Sequence, residues 1–176
     1  MNETLPSSGI LEFKVAFEQR YARVWCNPAR KIIICELLTD YVPIEDFKEV
    51  FTEIGELVKS GDYTKFIFDK RALRAFHQPT MEWYFIHWKK EMLGYGVKTH
   101  RKILPEEKWF EKMVQIAKAQ ILARYPDHMK DVLSQIWGPS AKENDSNVIS
   151  RRSGAISKVS GIDDNVLRNL RIKRGR

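Results

Sequence analysis

The chain has 176 residues, of which 43% are hydrophobic and 30% charged, with a formal net charge of +7. That balance suits a soluble globular protein, and no apolar run approaches the roughly 18 residues a membrane span needs. Two cysteines are too few for a disulfide scaffold, and a domain of this size buries enough surface to need no metal or disulfide staple.

Composition divides the chain. All 20 aromatic residues lie before residue 141. The stretch 141–176 carries nine Lys and Arg against four Asp and Glu, a net of +5, leaving +2 for the rest. The expected organisation is a frayed lead over 1–9, one α/β domain over 10–140, and a basic, Ser/Arg-rich tail over 141–176.

In chain order, residues 11–17 alternate apolar and polar, the mark of a half-buried strand, and 21–26 form a second. Asn27-Pro28-Ala29-Arg30 reads as a turn. Residues 31–38 are nearly continuous apolar and β-branched, which suits a central strand covered on both faces. Pairing 20–26 with 31–37 sets Cys26 opposite Lys31 and Cys35 opposite Ala22. The thiols are then not partners and stay reduced, as in a cytoplasmic protein. No charged-then-apolar leader opens the chain, which points to the same compartment.

Pro43 with Glu45 and Asp46 announces a helix start. Phe47, Val50, Phe51, Ile54 and Leu57 then recur at helical spacing to about Lys59. Lys65–Asp69 is a short buried strand ending in a carboxylate, followed by a loop over 70–79. An aromatic helix comes next, with Met81, Phe85, Trp88 and Met92 as its buried stripe and Lys89, Lys90 and Glu91 on its wet side. Gly94-Tyr95-Gly96 precedes a strand rather than a helix, so it is a turn and not a phosphate loop. Residues 98–104 form the next strand. A further helix starts at Glu106-Glu107, with Phe110, Met113, Ile116, Ala117, Ala119, Ile121 and Leu122 as its apolar set. A short helix is expected over 127–136. In the tail, Asp163-Asp164-Asn165 caps a possible helix over 163–173 that needs a partner to stay folded.

Strands, a hairpin, then helix and strand in alternation give an α/β fold with a mixed sheet and helices packed on it. Four segments in this order resemble the SpoIIAA-like, or STAS-like (STAS/SEC14-type), small bacterial domains. They are Pro43-Ile44-Glu45-Asp46-Phe47, Asp69-Lys70-Arg71-Ala72-Leu73, Glu82-Trp83 with Trp88, and Gly96-Val97-Lys98. The resemblance covers about residues 10–124. It implies a non-enzymatic, cytoplasmic protein-interaction or regulatory domain. In STAS domains related to anti-sigma antagonists, a Ser or Thr just after the strand-ending Asp is phosphorylated to switch partners. Here Lys70 and Arg71 come after Asp69, so that switch is not expected. The SEC14 name also implies, as an alternative, a carrier of a small apolar ligand.

Among candidate site residues, Asp69 and Arg71 stand at the carboxyl end of a strand, where α/β sheets present ligand sites. With His77 they form a small polar pocket, or else Asp69 caps the loop and pairs with Arg71. Trp83 and Tyr84 are candidate interface anchors, and the aromatic helix is either core or a base-stacking platform. His87 lies one turn from Glu91, but no nucleophile is placed with them. The four histidines have no metal-ligand spacing and no catalytic serine elbow occurs, so neither catalytic residue, cofactor nor metal is expected. In the tail, Arg151, Arg152, Arg168, Arg171, Lys173, Arg174 and Arg176 offer positive charge to nucleic acid, a protein partner or a membrane surface, or simply keep the tail solvated. A nucleic-acid accessory role through this tail is the second alternative.

Overall fold

A computed structural model describes residues 12–75 and 77–127. The lead over 1–9, the tail with its arginines and nearly all of the expected 127–136 helix lie outside the described residues. The rest is an α/β fold. Strands β1 (Lys14–Glu18), β2 (Ala22–Asn27) and β3 (Ile32–Leu37) lead into helix α1 (Ile44–Ser60) and β4 (Lys65–Asp69). A helical rod comes next, built of α2 (Gln78–Trp83), a π-helical turn (Tyr84–Trp88) and α3 (Lys89–Gly94). Strand β5 (Thr99–Ile103) and helix α4 (Lys108–Arg124) complete the order.

The five strands form one sheet in the order β1-β2-β3-β4-β5. The first three are antiparallel, and β3, β4 and β5 are parallel. Both neighbours of β3 pair with it fully, and all six of its residues are buried, as its unbroken apolar run requires. The β2–β3 register sets Cys26 opposite Ile33 and Cys35 opposite Val24, two residues away from the expected pairing. The cause is the turn. Asn27 remains in β2 while its Oδ1 accepts the Arg30 N–H at 3.0 Å, and Lys31, at φ 59°, belongs to the turn rather than to the strand. Both thiols are free, as expected.

Strand alternation divides the core. Ala22, Val24, Ile33, Cys35, Leu37, Phe66 and Phe68 face α1, the rod and α4. Trp25, Ile32, Ile34, Ile67 and Ile103 pack together on the opposite face with Phe13. Phe47, Val50, Phe51, Ile54 and Val58 bury α1 against the first face.

The rod departs from the expected stripe. Its core residues are Met81, Tyr84, Trp88 and Met92, whereas Phe85 is half-buried and packs beside Ile86 and Ile121. The π-turn is responsible: the Lys89 N–H donates to the Tyr84 carbonyl, five residues back. The wider turn rotates the helical residues after it and brings Lys89, expected in water, over the rings of Tyr84 and Phe85 at 5.4 and 4.7 Å. Helix α4 also differs. It buries Phe110, Val114, Ala117 and Ile121, while Met113 and Ile116 of the expected apolar set stay exposed.

Candidate functional site

The carboxyl end of β4 gathers most of the polar chemistry. Asp69 closes the strand with its carboxylate buried, and Arg71 folds back onto it. The Arg71 main-chain N–H donates to Oδ1 at 3.1 Å, and its Nε donates to Oδ1 and Oδ2 at 2.9 and 3.1 Å. The carboxylate holds the guanidinium pKa above its ordinary value. Asp69 thus caps its own loop, and the pair is closed on itself. In the sheet Asp69 lies beside Glu36, whose carboxylate accepts the Trp25 indole N–H at 3.2 Å.

His77 lies apart from this pair. Its Nδ1 is 2.6 Å from the Thr80 hydroxyl at the start of α2, and its ring meets Tyr41 edge-on at 6.2 Å. Leu37, Val42, Phe47, Leu73, His77 and Met81 line a cavity of about 20 Å³ between these segments. That is space for about one water molecule. Of the two candidate anchors, Tyr84 is 4% exposed and belongs to the core, while Trp83 is half-buried with its ring edge-on to Phe47. His87 is exposed.

Lys70 is a buried amine that the sequence places in a polar loop. It continues the alternation of Phe66 and Phe68, so its side chain enters the helical face of the sheet and is 2% exposed. Its Nζ lies 3.3 Å from Met81 Sδ, 4.4 Å from the centre of the Phe68 ring and 5.6 Å from that of Tyr84. Burial drives its pKa well below the ordinary lysine value, and the positive charges of Lys102 and Lys89 add to the effect. Lys89 is pushed down to about 7, first by burial and then by Lys102 and Lys118. His100 on β5 is buried near the Phe66 and Trp88 rings, and among the described residues neither ring nitrogen has a partner in good hydrogen-bond geometry. Burial keeps it neutral. The in-phase run Phe66, Phe68, Lys70 is the signal that locates the first of these groups.

On the outer side of α4, Trp109, Met113 and Ile116 are 44%, 40% and 52% exposed. Their spacing of four and three residues places them in one row, with exposed Lys108 and Lys112 along its edge. Among the described residues no three His, Cys, Asp or Glu come together to hold a metal, and no helix is long and apolar enough to cross a membrane. Compared with family models, curated proteins and solved structures, the chain matches none.

Proposed function

We propose that this chain is a protein-interaction module of STAS-like type, acting in the cytoplasm through binding rather than turnover, and that α4 is its docking helix. The exposed row Trp109, Met113 and Ile116 carries the reading. Large apolar side chains on neighbouring helical turns form a continuous patch that water solvates poorly, and tryptophan is the residue type most enriched among interface hot spots. Lys108 and Lys112 beside the row favour a partner groove with an acidic rim. The closed Asp69–Arg71 pair and the water-sized cavity offer less to a carried apolar ligand, which supports the docking reading over the carrier one.

The test compares proteins captured from the native host by the full chain and by a Trp109→Ser/Ile116→Ser variant. These side chains are exposed, so the variant keeps its thermal stability. Loss of Trp109 alone is expected to weaken the partner roughly 30-fold, the effect of a hot spot of about 2 kcal/mol. Undiminished capture by the variant would show that α4 does not dock. Capture that disappears with nuclease treatment would support the nucleic-acid alternative instead.

A further inference from the structure

We propose that residues 5–11 form a strap that lies across the face of the sheet away from the helices and closes it. The strap is independent of the α4 row, and each stands or falls on its own measurement. The observation that carries it is a buried face with no described layer above it. Ile32, Ile34 and Ile67, on β3 and β4, are fully buried on that side. Yet the hydrophobic residues packed with them are Trp25, Ile103 and Phe13, which lie in the strands or just before one. Helix α1, the rod and α4 pack on the other face. Right-handed crossovers from β3 to β4 and from β4 to β5 step in one direction and so put their helices on one side. A sheet shields its side chains from the flanks and not from above, so each apolar face needs a second layer. Trp25 does not supply that layer, because it is itself only 7% exposed. Another part of the same chain therefore covers the face.

The point of departure selects the lead. Val15 pairs with Trp25, so alternation puts Phe13 on the Trp25 side, and Phe13 packs there. Glu12 is exposed, and Leu11 shares the phase of Phe13 and Val15 in the sequence. The chain that precedes Phe13 thus starts on the face in question. The chain that follows α4 starts on the helical side instead, where the Tyr125 hydroxyl donates to the Glu82 carboxylate of α2 at 2.8 Å.

Composition and reach agree. Leu5-Pro6-Ser7-Ser8-Gly9-Ile10-Leu11 carries no charge and offers three large apolar side chains. The stretch 141–176 has nine Lys and Arg and four Asp and Glu, charges that an apolar face does not accept without partners. From β2 to β5 there are three strand spacings, about 14 Å. Seven extended residues span about 23 Å, enough to pass from Trp25 to Ile103. Pro6 favours an extended Leu5 and has no N–H to leave unpaired over the sheet.

The experiment places a benzophenone amino acid at position 5 of the full chain, irradiates it and maps the cross-links by peptide mass spectrometry. Cross-links within one chain to the β4 and β5 peptides that hold Ile67 and Ile103 are expected. Cross-links to the helical side, cross-links between two chains, or none at all would overturn the strap. The same probe in place of Leu133 or Val166 tests the other segments, and cross-links from either to Ile34 or Ile67 would give the face to that segment instead. Leu11→Asp in the full chain should lower the urea midpoint by about 1 M, while Leu11→Met should leave it unchanged. A midpoint unmoved by Leu11→Asp would also overturn the strap.

Discussion

The indole N–H of Trp88 donates to the main-chain carbonyl of Phe51 at 2.7 Å, tying the π-turn to the middle of α1. The same indole meets the Phe51 and Phe66 rings at 4.9 Å each and stacks on Tyr84 at 5.5 Å. One side chain therefore fixes the rod against both the helix and the sheet. Trp88→Phe keeps an aromatic ring but deletes the donor and leaves a void. It is expected to cost about 2–3 kcal/mol, measured as a lower urea midpoint at unchanged slope. An unaltered midpoint would show that the tie contributes nothing.

Gly55 lies under the same contact. A Cβ there would stand 3.3 Å from the terminal methyl of Met92 and 3.9 Å from Trp88 Nε1. Gly in a helix interior costs about 1 kcal/mol relative to Ala. The Met92 methyl is the end of a flexible chain, so Gly55→Ala should leave the melting temperature unchanged or raise it. Gly55→Leu should lower stability by about 2 kcal/mol through overpacking. The opposite order of the two variants would mean that α1 and α3 do not approach as described.

Arg71→Ala leaves the Asp69 carboxylate buried with its ion pair removed. The expected loss is about 3 kcal/mol, and Asp69→Leu with Arg71→Met should recover most of it, since apolar replacement of a buried pair is often neutral. Denaturant unfolding of the wild type, the single variant and the double variant decides this. A double variant less stable than Arg71→Ala would refute it.

Two buried bases, Lys70 and His100, and the half-buried Lys89 set the pH dependence. Unfolded, a lysine holds its proton to about 10.5, whereas folded Lys89 has lost its proton above about 7, and folded Lys70 also binds less tightly. Above pH 7 these lysines hold more protons in the unfolded chain, so stability rises with pH until about 9, where the Cys35 thiol and then the Tyr84 phenol, which keep their protons when folded, begin to oppose the rise. His100 acts at lower pH. Unfolded it is protonated near 6.5, and folded it resists protonation, so stability falls as pH drops through that value. Lys89→Met should flatten the upper branch and His100→Leu the lower. Urea midpoints across about pH 5 to 10 test both branches, and a wild type with a constant midpoint would contradict them.

Much of the scaffold was legible because its elements carry strong periodic signals. Strand β4 has the expected bounds, and the acidic start of α1 and the five-residue row along it place that helix within a residue. The β2–β3 register was two residues off because composition does not distinguish Asn27 as the end of a strand from Asn27 as the start of a turn. The π-turn was not legible at all. A period of 3.6 residues cannot encode one extra residue in a turn, and Tyr84 and Phe85 are equally able to fill a core. In α4 the apolar residues are too many for one face, so the sequence does not say that Val114 goes in while Met113 and Ile116 stay out. Lys70 was hidden by its charged neighbours, which read as a polar loop, although it keeps step with Phe66 and Phe68.

In this sheet every pair of neighbouring strands is also consecutive along the chain. No strand waits for a later one to be inserted between it and its neighbour. The antiparallel β1–β2–β3 meander closes through short turns and needs no helix, so it is the part whose loop-closure entropy is smallest. A chain leaving the ribosome with its N-terminus first can complete that meander and then add β4 and β5 one crossover at a time. Each arrival covers the edge left open by the strand before it, which limits how long a bare edge faces other nascent chains.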